Sequence, residues 1–217
     1  MSEHDKKEDN SNSGDKKYDY PKLISIAKET TDLIKKQEKI KLTKDSIVLD
    51  FGAGTGLIGL NFVYEVKQVI FLDVSKPMLD YLEKKCQKQG IKNYAIFNGI
   101  IEDYNPKEKV DLITVGMVLH HIENLQSIFS KFLEILKPKG FVCITEYVKN
   151  APMFDIEEHG QRHKLPHRGF NAKELCKELI KIGFINTEIK GVSSINYKGD
   201  DGKDIISERY MIIAQGP

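Results

Sequence analysis

The chain has 217 residues, 40% apolar and 30% charged, with a formal net charge of +1. That is enough for one domain with a real core, and the near-neutral balance creates no global field toward nucleic acid or an anionic membrane. No apolar run approaches the roughly 18 residues of a membrane span, Met1–Lys17 lacks an apolar signal core, and Cys86, Cys143 and Cys176 lie far apart in apolar stretches, so buried thiols in the cytosol or nucleus are expected.

Residues 1–17 mix Ser, Asn, Asp, Lys and Glu with no apolar period, which predicts a disordered tail before one domain over 18–217. A helical pattern runs from Tyr18 to Ile40, with Leu23, Ile24, Ala27, Leu33 and Ile34 as core contacts. It is either a cap over a ligand site or a helix simply packed on the sheet. Five short apolar runs follow, at Ile47–Leu49, Val69–Leu72, Tyr94–Phe97, Leu112–Val115 and Phe141–Thr145. Continuous runs of this length suit strands buried on both faces of a parallel sheet.

Helical segments alternate with these strands. One starts near Leu57, and one is capped by Ser75 with Pro77 in its first turn. Another follows Glu123, where Leu125, Ile128, Phe129, Phe132, Leu133 and Leu136 make an apolar stripe that Lys137-Pro138-Lys139-Gly140 ends. Asn171 caps a last helix that closes at Gly183. Two longer strands, near 184–197 and 205–214, are joined through Gly199-Asp200-Asp201-Gly202, a hairpin signal. The sum is an α/β, Rossmann-like sheet, mostly parallel, with a C-terminal antiparallel hairpin.

The segment Asp50-Phe51-Gly52-Ala53-Gly54-Thr55-Gly56 follows the first strand. Its glycines let the backbone turn tightly and approach a ligand, and the next helix offers free N–H groups. Asp73 ends the second strand, where an acid accepts hydrogen bonds from ribose hydroxyls. A tight turn without a ligand is the plainer reading. A nicotinamide site is opposed by Leu57, which stands where the dinucleotide fingerprint has its third Gly, and by Asp50, which would repel a pyrophosphate but welcome an ammonium or sulfonium.

Val48–Gly56 resembles motif I of class I S-adenosylmethionine-dependent methyltransferases, and Leu72-Asp73-Val74-Ser75-Lys76-Pro77-Met78-Leu79 resembles their second motif. Asp111-Leu112-Ile113 through Val118-Leu119-His120-His121-Ile122 is similar to the fourth-strand motif of the small-molecule subgroup, and Leu136–Phe141 to the turn before strand five. The resemblance implies strand order 3-2-1-4-5-7-6, a methyltransferase activity, and S-adenosyl-L-methionine as cofactor. By position, it implies that Gly52, Ala53, Gly54 and Gly56 lie against the methionine portion and ribose, and that Asp50 anchors the amino group. Asp73 would hold the ribose, Val74 or Met78 would pack near the adenine, and Gly116 and Met117 would face the sulfonium. One departure stands out: Ile100 in Gly99-Ile100-Ile101-Glu102-Asp103 replaces an acid that relatives use for the adenine amine, leaving the Ile101 backbone or Glu102 for that task.

The acceptor leaves a fainter trace. Thr114-Val115-Gly116-Met117 is not the N/D-P-P-Y/F motif of nucleobase amine methylation, and no basic, aromatic-studded patch exists. A small-molecule acceptor is expected, with protein or RNA still open. His120, His121, Glu146 and the loop holding His159, His163 and His167 are candidates for the acceptor pocket or for catalysis, against plain packing and helix-entry roles. A metal at the histidine loop is disfavoured, because Pro166 breaks helical spacing and no HExxH pattern exists. A catalytically silent protein on the same fold, supported by Ile100, is the non-enzyme alternative.

Overall fold

The computed structural model describes residues 19–155, 165–198 and 202–217. The predicted tail (1–17), His159, His163 and most of the hairpin turn therefore lie outside the described residues. Helix α1 (Pro21–Lys35) leads into strands β1 (Ile47–Phe51) and β2 (Gln68–Asp73), helix α2 (Lys76–Lys88), and strands β3 (Tyr94–Asn98) and β4 (Val110–Gly116). Helix α3 (Leu125–Ile135), strand β5 (Leu136–Tyr147), helix α4 (Ala172–Ile182) and strands β6 (Ile185–Lys198) and β7 (Asp204–Gln215) complete it. The seven strands form one sheet, ordered β3-β2-β1-β4-β5-β7-β6. Strands β1 to β5 pair in parallel, and β7 runs antiparallel to both neighbours, as the alternation and the hairpin signal imply.

Period-two alternation splits the core between two sheet faces. Val48, Phe71, Leu112, Cys143 and Met211 pack on one face against Ile34 of α1 and Leu79, Leu82 and Cys86 of α2. Leu49, Phe51, Ile113 and Ile144 pack on the other against Phe129 and Phe132 of α3 and Leu175 and Leu179 of α4. Asn171 accepts bonds from the Lys173 and Glu174 N–H groups, and Asn124 from Ser127, so two helix starts are fixed by the side chains the sequence places there.

Four local expectations are corrected. No α-helix starts near Leu57: residues after Gly56 wind as turns with a 3₁₀ segment, Gly59–Asn61. The cause is bonding to the third preceding carbonyl (Asn61 to Ile58, Phe62 to Gly59), while Asp50 takes the Gly59 N–H. Ser75 sits at the N-cap of α2 without a side-chain capping bond; its own N–H donates to Asp73 instead. Helix α1 is shorter than 18–40, and Ile24 on it is exposed, because its buried face runs through Ala27, Thr30, Thr31 and Ile34. Strand β5 begins at Leu136, with the Lys137–Gly140 stretch held as an irregularity in its pairing to β4 and Lys139 at φ 63°.

Candidate active site

The sheet order reverses between β1 and β4, the place where open α/β sheets bind ligands beyond their strand ends. A cleft of about 470 Å³ lies there, lined by Asp50, Gly52, Ala53, Gly54, Gly116, Met117 and Met78 of the expected set. Leu23, Ile26, Ala27 and Thr30 of α1 also line it, so this helix is both packed on the sheet and a wall of the site. Its start is pinned to the glycine loop: Thr55 Oγ1 donates to Asp19 at 2.5 Å, and Lys85 pairs with the same carboxylate at 2.6 Å. A second, mainly apolar cleft of about 370 Å³ adjoins, lined by Asp73, Val74, Ile100, Ile101, Glu102 and Ile122 among others. Gly52 and His121 line both, so the two read as one elongated groove.

The glycine loop needs its glycines. Gly52, Gly54 and Gly56 have φ of 65°, 52° and 76°, and a Cβ on Gly52 would meet Val118 Cγ2 at 2.4 Å. Asp73 locks the loop to β2: Gly54 N–H donates to Asp73 Oδ2 at 2.7 Å and Ser75 N–H to its Oδ1 at 2.8 Å. Each oxygen keeps acceptor capacity for a ribose hydroxyl. Met117 sits at the mouth of β4 with φ 55°, an uncommon conformation for a side-chain-bearing residue, held by its N–H bond to the Thr145 carbonyl.

Asp50 is 2% exposed. It accepts from Gly59 N–H at 2.9 Å and Thr114 Oγ1 at 2.7 Å. Burial pushes its carboxyl up to about 7, against the pull of those two bonds. A buried acid whose charge is disfavoured by its surroundings, in a ligand-sized groove, suits a cationic guest.

The other candidates are placed differently. Met78 lies beside Gly54 in the glycine-loop cleft, 3.6 Å from where a Cβ would be, whereas exposed Val74 borders the apolar one. Ile101 is buried and Glu102 is exposed, accepting from Ser127 Oγ at 2.8 Å. His120 and Glu146 are buried against each other, with Nδ1 3.0 Å from Oε2, and neither lines the groove. Glu146 Oε1 also accepts from Leu119 N–H at 2.7 Å, so it fastens the 119–121 turn to the end of β5. His167 donates its backbone N–H to the His120 carbonyl at 3.3 Å and lines a separate cavity beside Asn124 and Glu178. The groove instead takes His121, a candidate beside His120 in the sequence, together with Thr30 and Thr145, which nothing in the sequence singled out. Thr145 was legible in principle, since it alternates in phase with Cys143 on the α1 side of the sheet. Among the described residues, no cluster of three potential metal ligands forms.

Comparison with known proteins agrees with this architecture. Residues 48–140 match the methyltransferase domain family. An uncharacterized methyltransferase of Schizosaccharomyces pombe is 28% identical over 171 residues, 72% of this chain and 59% of that protein. The crystal structure of YcgJ from Bacillus subtilis superposes with a TM-score of 0.70 at 16% identity, covering 87% of this chain and 98% of that one. The N-methyltransferase NodS from Bradyrhizobium japonicum, solved in complex with S-adenosyl-L-homocysteine, gives 0.65 at 15% identity, covering 96% and 100%. By sheet order and by the matched stretch 48–140, the chain is similar to the class I S-adenosylmethionine-dependent methyltransferases. It spans 59% of the length of the fission-yeast relative. Among the described residues, no helix is long and apolar enough to cross a membrane.

Proposed function

We propose that the protein transfers a methyl group from S-adenosyl-L-methionine to a small-molecule acceptor. The observation that carries this is the groove itself: two strand-end acids, Asp50 and Asp73, flank a loop with no Cβ at its closest points, and an apolar slot adjoins on the Asp73 side. The residues present fit the cofactor. Asp50 is buried with its charge poorly supported, and an ammonium beside it would restore full ionisation. Asp73 would hold ribose hydroxyls at the joint between the clefts, and Val74, Ile100 and Ile122 would sandwich the adenine. Glu102 is the acid on that lining nearest in sequence to Ile100 and the candidate partner of the adenine amine.

When bound, the cofactor supplies an electrophilic methyl carbon whose bond to sulfur breaks as the acceptor's lone pair bonds to it. The chain's own part is to orient and to exclude water. Gly116 and Met117 close the end of β4 against the reacting region, and Ile26 and Ala27 of α1 cover it with apolar surface. His121 is the titratable side chain on the lining of both clefts that stands apart from the two cofactor acids and Glu102, which makes it the candidate to take a proton from the acceptor. Buried His120 and Glu146 are positioning residues for the turn that carries His121.

The reading is tested by incubating the protein with methyl-labelled cofactor and a fractionated small-molecule extract. Label entering a low-mass product supports it. Label entering protein or RNA moves the acceptor class, and tight binding of S-adenosylhomocysteine without any transfer favours a silent binding protein.

A further inference from the structure

Thr30 and Thr145 line the cofactor groove and also a cavity of about 530 Å³ between α1 and strands β6 and β7. The two spaces therefore meet at this pair of threonines. Arg209 lies in the second cavity, pairs with Tyr147 across β5 and β7, and is only 2% exposed. Its face of the sheet is otherwise apolar at Cys143, Met211 and Ile213, so a cation there is unexpected.

The guanidinium is incompletely used. It has five donors in a planar fork. Nη1 donates to Thr30 Oγ1 at 2.9 Å and Nη2 to Glu29, while buried Nε has no partner. Thr145 Oγ1, in the same cavity and 3% exposed as a residue, has none either. Buried polar atoms left open beside a cavity are donors and acceptors that a bound ligand or water can satisfy. The partner carboxylate is a poor permanent counter-ion, because the Glu29 side chain on α1 is 47% exposed. Lys28, Lys36 and Arg209 against Glu29 and Asp32 leave the lining with one net positive charge.

We propose that Arg209 anchors the methyl acceptor and that the acceptor carries a carboxylate. Glu29 fills that seat when the acceptor is absent; the acceptor's carboxylate takes the fork, Thr145 binds its polar middle, and the remainder reaches past the threonine pair toward Met117. A carboxylate is favoured over other anions because the seat already holds one, and the planar fork matches it in two-point fashion. This rests on the methyltransferase reading above.

The experiment uses the nitrogen-15 labelled full chain saturated with S-adenosylhomocysteine and follows the Arg209 Nε–Hε resonance, identified by its loss in Arg209→Lys and by its displacement in Glu29→Gln. Sodium acetate and sodium benzoate are titrated to about 100 mM against sodium chloride at equal ionic strength. A saturable shift with both carboxylates but not chloride, with apparent affinity at least about threefold tighter in Glu29→Gln, is expected. A resonance unmoved by carboxylates, or moved equally by chloride, overturns the proposal while leaving the methyltransferase reading intact. Failure of S-adenosylhomocysteine to bind at all overturns both.

Discussion

Asp50 ties stability to pH in the direction opposite to a salt-bridged carboxylate. Its carboxyl is raised from 3.8 to about 7 in the folded chain, chiefly by burial. Between those values the unfolded chain has lost the proton and the folded chain still holds it. Folding thus binds a proton, and stability falls as pH rises through the window, then flattens above about 7. At roughly 1.4 kcal/mol for each tenfold change in proton affinity, the penalty at alkaline pH approaches about 4 kcal/mol as an upper bound. Asp50→Asn removes the ionisation and keeps the bonding: the amide oxygen still accepts from Gly59 N–H, and the amide nitrogen donates to the Thr114 hydroxyl, which accepts as readily as it donates. Urea unfolding of both proteins from pH 5 to 8 should show the ligand-free variant more stable at pH 8 by about 2–4 kcal/mol, with the gap shrinking toward pH 5. The same variant should bind S-adenosylhomocysteine at least about tenfold more weakly, since the ammonium loses its buried counter-charge. A stability difference that does not vary with pH, or a variant less stable than the parent at pH 8, would refute the reasoning.

Other outcomes follow from the same geometry. Gly52→Ala puts a Cβ 2.4 Å from Val118 at a φ of 65° and should abolish cofactor-product binding in calorimetry while lowering stability by about 1–3 kcal/mol in thermal unfolding. Asp73→Asn can no longer accept at both oxygens, so it frees one of the Gly54 and Ser75 N–H groups and should weaken S-adenosylhomocysteine by about tenfold or more, read by the same calorimetry. Glu146→Ala strips the Leu119 N–H and the His120 ring of their buried partner, and should cost on the order of 3 kcal/mol in denaturant unfolding. Ile100→Asp restores an acid at the rim of the apolar cleft and should tighten S-adenosylhomocysteine by about three- to tenfold in a competition assay.

The sheet was legible in the sequence because it is written in strong, short-range patterns. Five apolar runs ending in loops give parallel strands, and two long alternating runs after Gly183 give the hairpin. The glycine loop and both acids were legible for the same reason: they sit at strand ends, and strand ends are where the apolar runs stop. The segment after Gly56 was not, because what decides it is a tertiary bond from Gly59 to Asp50, nine residues away and invisible to periodicity. The acceptor side was the least legible. His120 and Glu146 read as acceptor-pocket candidates in the sequence, yet both are buried and bonded to each other, and Glu146 also accepts from the Leu119 and Tyr147 N–H groups. Arg209 carries the opposite lesson, since its position next to Tyr210-Met211-Ile212-Ile213 marks a charge on a strand that continues into the core. Only the packing of α1 shows that a cavity opens above it.

The central claim is that the Asp50–Gly56 loop and Asp73 hold a sulfonium nucleoside rather than a dinucleotide. Isothermal titration of the full chain with S-adenosyl-L-homocysteine and, separately, NAD tests it most directly. One equivalent of the nucleoside binding with a Kd of about 1–50 μM, and no heat from NAD, is the predicted result. Saturable NAD binding with no response to S-adenosylhomocysteine would contradict it.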